Sequence, residues 1–437
     1  MIRELQISNY KSLHELTLEV GRFNVLIGEN GCGKSNLLEA ITFAGAAAAD
    51  KLDNEFLVSR GIRVTEPHMM RSAFTDDALA EPVKIDVGYE NIDVLAKYNL
   101  VNDNQLYGKW NRMDGELNEL PALWKKLEGN DENWEKINNI QALLEKVMQI
   151  AEGKVKDEIK FNEINSGIAE LGDFIQEHST KVAALKASVI DIAANYFENN
   201  NTSLNYFENY ERLLVSEEKI KSFLIYSPEN SALRNFHKEG QIEPLGINGE
   251  GLLKLLKVIQ TKSPEQREEI HNTLQLFDWY EELDIPKDLS SLEDKVTITD
   301  RYLTQAFDQR SANEGFLFVL FYIALMVSDD TPKIFAIDNI DVALNPKLCA
   351  KLIKELVRLA KKYDKQVFVT SHNPAILDGI DLADDEQRLL VASRNKQGHT
   401  RFKRIALKDK PRSSSNEEIK LSEAFLRGYL GGLPKGF

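Results

Sequence analysis

Cysteine is nearly absent. Only Cys32 and Cys349 occur among 437 residues, and their spacing fits neither a zinc site nor a disulfide framework. Long apolar runs are missing as well: the longest, Phe316 to Val327, is too short to span a bilayer and has no flanking basic anchor, so it reads as a buried helix. The N-terminus alternates apolar Ile2, Leu5 and Ile7 with polar residues instead of opening on a basic stretch and an apolar block. No export signal or membrane partner is therefore expected, and the expected compartment is the cytoplasm. Positive charge is in short supply. A formal net charge of −15 argues against a surface devoted to nucleic acid, since phosphate binding draws on clustered Lys and Arg, though it leaves room for a local basic patch. No internal repeat is visible, and heptads are not sustained. What remains is 43% apolar content, enough for a sizeable core in one interrupted domain or two.

The first residues read as two short strands, Ile2 to Ser8 and Leu16 to Val20, joined by a turn through Asn9, Tyr10, Lys11 and Ser12. A third strand, Phe23 to Ile27, runs into Gly28, and a helix follows from Lys34 with Leu37, Leu38, Ile41 and Ala44 apolar. Alternation returns over Lys84 to Leu100, so a first lobe is expected at residues 1–101. Residues 102–216 turn rich in Glu, Lys, Asn and Leu with helical spacing at Ile137, Ile140 and Leu144 and again at Ile164, Ile168 and Leu171, predicting an inserted helical arm or small bundle. A second lobe, 217–437, resumes the α/β pattern. It holds a helix from Leu252 to Thr261 and two apolar strands, Ile334 to Ile337 and Val367 to Thr370, separated by a helix from about Lys347 to Lys362. That βαβ order implies parallel strands that are neighbours or nearly so.

Gly28-Glu29-Asn30-Gly31-Cys32-Gly33-Lys34-Ser35 satisfies the phosphate-loop pattern between a strand and a helix. Glycines there let successive N–H groups face phosphate oxygens, and the start of the helix adds its positive dipole end. The nucleotide-binding set is Asn30, Gly31, Cys32, Gly33, Lys34, Ser35 and Asn36. Lys34 is expected to reach the terminal phosphates of ATP, and Ser35 to ligate Mg2+. Asp338, at the end of an apolar strand, is the second Mg2+ residue. Asn339 follows it, and an amide accepts no proton at neutral pH. Asp341, two residues on, either substitutes through a shifted loop or is a surface acid while another residue handles water. His372 ends a sheet strand where ligands of α/β sheets bind, which favours a functional role.

In order along the chain stand the phosphate loop, Ser311-Ala312-Asn313-Glu314-Gly315, the acid strand, Ala343-Leu344-Asn345-Pro346 and Thr370-Ser371-His372-Asn373-Pro374. This order resembles the ABC-type ATPases of the RecF, structural-maintenance-of-chromosomes and OLD (overcoming lysogenization defect) group. The opening Ile7-Ser8-Asn9-Tyr10-Lys11-Ser12-Leu13 is similar as well. The resemblance implies an α/β head with a mixed sheet flanked by helices, a homodimer or higher oligomer joined through its ATP sites, and slow hydrolysis, because Asn339 stands where the group has a catalytic glutamate. By it, Ser311 and Gly315 touch the γ-phosphate on a partner's loop, Asn345 lies in a dimer-contact loop, and His372 contacts the γ-phosphate.

Chromosome-maintenance members carry long coiled coils, and OLD nucleases carry a nuclease domain after the ATPase; this sequence shows neither. It resembles instead the ATP-binding subunits of two-gene antiphage or abortive-infection systems, whose effector is a separate protein. The alternative is a RecF-like repair ATPase that binds DNA, for which the basic run Arg394, Lys396, Arg401, Lys403 and Arg404 speaks.

Overall fold

The computed structural model describes residues 1–75, 77–92, 95–105, 108–113, 212–213, 215–235, 244–286, 295–412 and 418–433. The chain divides into two compact units, one of Met1–Asn91, Leu95–Arg112 and Val215–Phe437, the other of Ile92–Val94 and Met113–Leu214. The helical arm expected over 102–216 lies, from 114 to 211, outside the described residues.

The first unit opens with an antiparallel sheet. Strands β1 (Ile2–Tyr10) and β2 (Leu13–Glu19) form a hairpin tighter than the sequence suggested, pairing up to Tyr10 with Leu13. Asn9 and Lys11 adopt left-handed backbone conformations (φ 61° and 46°) at the turn, which Asn tolerates well. β3 (Phe23–Gly28) leaves this layer, and α1 (Lys34–Ala48) follows it. Strands β4 (Val83–Tyr89), β5 (Ala96–Val101) and β6 (Asn111–Met113) complete the sheet in the order β2-β1-β4-β5-β6.

After β7 (Ile225–Tyr226) come α2 (Leu252–Lys262) and α3 (Pro264–Leu274). A small antiparallel sheet of β8 (Tyr280–Asp284), β9 (Thr297–Asp300) and β10 (Phe307–Asp308) is next, which the sequence did not announce. Then come α4 (Glu314–Val327), β11 (Ile334–Ile337), α5 (Pro346–Lys362), β12 (Gln366–Ser371), β13 (Gln387–Arg394), β14 (Thr400–Ile405) and α6 (Leu421–Leu426). The main sheet of this part runs β14-β13-β3-β12-β11-β7. β11 and β12 pair in parallel, as the βαβ order predicts, and β12 and β13 flank β3, also in parallel. Every residue of β3, β11 and β12 is buried, which is why these mostly apolar strands show no polar–apolar alternation.

The two layers meet across α1, which touches β1, β4 and β5 on one side and β3, β7 and β12 on the other. A helix covered on both sides has no polar face. Accordingly Leu37, Leu38, Ile41, Phe43 and Ala44 are all fully buried. Gly45 is needed for close approach, since a Cβ there would lie 2.4 Å from the carbonyl oxygen of Ile220. α4 is buried from Gly315 to Val327, so the longest apolar run is a core helix. Among the described residues no helix is long and apolar enough to cross a membrane. The first unit is an α/β mixed sheet flanked by helices, the architecture expected of an ABC-type P-loop ATPase head.

Candidate nucleotide site

Three neighbouring parallel strands, β3, β12 and β11, bring their carboxyl ends to one edge of the main sheet. β3 delivers the phosphate loop, β11 delivers Asp338 and β12 delivers His372. Gly31 and Gly33 take φ of 74° and 103°, conformations that favour glycine. At Gly33 a Cβ would stand 2.2 Å from Thr400 Oγ1 and 2.8 Å from Ser12 Oγ. Lys34 Nζ donates to the carbonyl oxygens of Gly28 at 2.9 Å and Glu29 at 3.0 Å, folding the lysine over its own loop.

The loop is braced from outside. Thr400 Oγ1 donates to the Cys32 carbonyl at 2.8 Å and lies 2.7 Å from Ser12 Oγ, which accepts from Asn36 Nδ2 at 2.7 Å. Arg394 Nε donates to the Gly31 carbonyl at 2.9 Å. Asn36 thus braces the loop, and Cys32 is a buried thiol whose pKa is raised by burial. Asn30 and Gly31 are exposed, and Ser35 is half-buried in the first turn of α1.

Thr370 of β12 fixes the acid turn. Its hydroxyl donates to Asp338 Oδ1 and accepts the Asn339 N–H at 2.8 Å, while the Thr370 carbonyl accepts from Ile340 N–H at 3.1 Å. Asn339 sits in the left-handed region at φ 54°. Burial lowers the Lys34 pKa, against the opposing effects of Cys32, Asp338, Glu29 and Asp341. Burial and then Lys34 lower the His372 pKa, against Asp341 and Asp338. Lys34, Asp338, Asp341 and His372 therefore share one electrostatic neighbourhood. Ser311 is exposed, and Gly315 backs onto the Ala343–Leu344 segment, where a Cβ would meet the Ala343 carbonyl oxygen at 2.8 Å. Asn345 caps α5, its side chain accepting from Leu348 N–H at 3.0 Å.

The chain matches the family described as AAA ATPase domain over residues 1–299. It belongs to that family. The matched region holds the phosphate loop and ends before Asp338 and His372. No curated protein matches the chain. Among solved structures, it is similar to the Smc head domain bound to the C-terminal domain of ScpA from Pyrococcus furiosus, with 12% identity, a TM-score of 0.44, and coverage of 93% of this chain and 96% of that one. A similar head domain from Thermotoga maritima gives 9%, 0.41, 93% and 99%. One from Pyrococcus yayanosii, with a coiled coil and joint, gives 12%, 0.47, 98% and 99%.

For this ATPase, Ser35 and Asp338 offer the hard oxygen ligands Mg2+ prefers. Among the described residues no group of three or more His, Cys, Asp or Glu could hold a metal. A hydroxyl and a carboxylate beside nucleotide phosphates fit an ion that keeps several waters. One cation beside α1, Arg63, was missed by sequence reasoning, and the partner of another, Lys11, was not foreseen. Glu39, buried in α1, pairs with Lys11 and with Arg63 Nε, the latter at 2.5 Å, and Arg63 also donates to Asn36 Oδ1 at 3.2 Å. Lys11 belongs to the turn between β1 and β2, within the opening segment that already resembles the ATPase group, though its pairing with Glu39 is not marked there; Arg63 carries no sequence signal, because only the fold brings it to α1. The basic run is largely engaged: besides Arg394, Arg401 donates to the Glu15 carbonyl and Arg404 pairs with Asp385.

Proposed function

We propose that this ATPase binds ATP with Mg2+ between two copies of itself and hydrolyses it slowly. The nucleotide-held pair is the active state that controls a separately encoded effector, as in two-gene antiphage systems. Asn339 carries this reading. It follows the metal-side carboxylate, its backbone is held by Thr370, and its amide cannot accept a proton, so a general-base contribution of about 10²- to 10⁴-fold is missing. Residual activation of water falls to Asp341, whose charge reaches both Lys34 and His372. Ser311 and Gly315 cap a neighbour's γ-phosphate; the exposure of Ser311 leaves it available to a second copy.

The test is assembly. Sizing the purified chain with and without ATP and Mg2+ should give a nucleotide-dependent pair. Lys34→Ala should lose it with ATP binding, and Ser311→Arg should lose it while keeping ATP binding. A wild type that stays monomeric with bound ATP sinks the reading. ATP-dependent co-purification with the product of a neighbouring gene supports the effector role, whereas salt-dependent DNA binding by the chain alone points to repair.

A further inference from the structure

Three half-buried rings from separate parts of the chain meet beside the phosphate loop: His14 of β2, His399 in the turn before β14, and Phe74. The ring centroids of His14 and His399 lie 4.4 Å apart with their planes tilted by 41°, and Phe74 stands 4.4 Å from His399 and 5.9 Å from His14. Contacts of this kind are attractive between neutral rings. The cluster sits on the seam that braces the loop. Thr400, directly after His399, donates its N–H to the Ser12 carbonyl at 2.9 Å and its hydroxyl to the Cys32 carbonyl at 2.8 Å. Ser12 stands two residues before His14. The stacked rings therefore hold β14 against the β1–β2 hairpin at the point where both touch the phosphate loop.

The seam suits uncharged rings only. His14 Nδ1 is buried and has no hydrogen-bond partner among the described residues. A protonated imidazole donates from both nitrogens, so charging His14 leaves a buried N–H without an acceptor. The charges acting on His399 are those of His14 across the seam and Arg401 on its own strand, with no acid among them; partial burial first, then these two, lower its pKa. Phe74 brings no charge, and Glu15 is exposed and lies on the opposite face of β2 by strand alternation. An opened seam thus binds more protons than a closed one below the ordinary histidine value of about 6.5. The closed form is favoured above that pH and is lost progressively below it.

We propose that His14 and His399 form a proton-sensitive latch on the phosphate loop: as neutral rings they keep the Ser12–Thr400 brace closed, and their protonation parts β14 from the hairpin and lowers ATP affinity. This rests on ATP binding at the phosphate loop. Both histidines are positioning residues that act through Thr400 and Ser12.

Calorimetric affinity of the full-length chain for ATP with Mg2+, at about pH 7.5 and about pH 5.5 on either side of the ordinary histidine value, tests this. Acidification should cost wild type about tenfold more affinity than it costs the double variant His14→Phe with His399→Phe, the factor that one pKa unit carries. Protonation of ATP itself is common to both proteins and drops out of the comparison. The double variant His14→Gln with His399→Gln, neutral and polar, should match the Phe pair. Thr400→Val keeps both histidines but cuts the brace, so it should lose the same pH dependence. If wild type and both double variants weaken in parallel on acidification, the inference fails. If Thr400→Val keeps the full wild-type pH dependence, the histidines do not act through the brace and the inference fails as well. A wild type that binds no ATP at about pH 7.5 sinks the nucleotide site, and the latch with it.

Discussion

Replacing Asn339 by glutamate restores a proton acceptor beside Asp338, and the structure sets both its gain and its cost. The backbone N–H of residue 339 is held by Thr370 Oγ1 at 2.8 Å, so the new side chain starts from a fixed point next to the Asp338 carboxylate. A general base is worth about 10²- to 10⁴-fold, or roughly 3–5 kcal/mol of barrier at 1.36 kcal/mol per tenfold. Against this, residue 339 has φ 54°, a conformation that costs most L-residues about 1–2 kcal/mol and Asn less. The variant is thus expected to be about 1 kcal/mol less stable and to remain folded. Phosphate release under excess ATP and Mg2+ should rise at least about 100-fold. The lifetime of the ATP-held pair, followed by sizing after a chase with ADP, should shorten in parallel. Asn339→Asp is the control: it adds the same charge and suits the left-handed turn, but its shorter side chain should gain far less. A folded Asn339→Glu that binds ATP and hydrolyses at the wild-type rate refutes the missing-base reasoning.

Thr400→Val removes the donor to the Cys32 carbonyl and the contact with Ser12; it should cost about 1–2 kcal/mol and weaken ATP binding in calorimetry while leaving the fold intact. Gly33→Ala meets both φ 103° and the Thr400 hydroxyl, so it should abolish ATP binding altogether. Lys365 is buried, and its Nζ donates to Ser328 O, Thr331 O, Thr331 Oγ1 and Pro332 O between 2.7 and 3.2 Å. Burial, then Lys333, lower its pKa to about 7, against the opposing charges of Asp329, Asp330 and Asp364. The unfolded chain then binds more protons between about pH 7 and 10, so stability should rise with pH across that window. In Lys365→Met the slope should vanish, with about 3 kcal/mol lost because the carbonyls are left unpaired.

The strand–loop–helix of the glycine-rich loop, the acid that follows β11 and the histidine that follows β12 were legible because each is a short pattern of contiguous residues. The βαβ pairing of β11 and β12 was legible for a similar reason: apolar runs around an amphipathic helix leave little topological choice. What joins these pieces was not. Thr400 is far from Cys32 in sequence, and no local pattern marks it as the brace of the loop. Arg63 and Glu39 meet only after α1 is packed between two layers. The small sheet of β8, β9 and β10 consists of strands too short for alternation to register. The basic run was visible as a pattern, but that Arg394 reaches the phosphate loop is visible only in the fold.

One residue type answers two demands at position 339. The turn after β11 is closed by Thr370, which binds Asp338 through its hydroxyl hydrogen and the residue-339 N–H through its lone pair. That double contact draws the backbone at 339 into the left-handed region, where asparagine is at home and glutamate is not. In an enzyme selected for turnover, the strain of a glutamate there is offset by the rate it supplies. Where long retention of ATP is the useful property, both pressures favour asparagine: the backbone relaxes and the nucleotide stays. A faster Asn339→Glu variant that is also less stable would carry both halves of this trade. A variant that is faster and equally stable would leave only the chemical half standing.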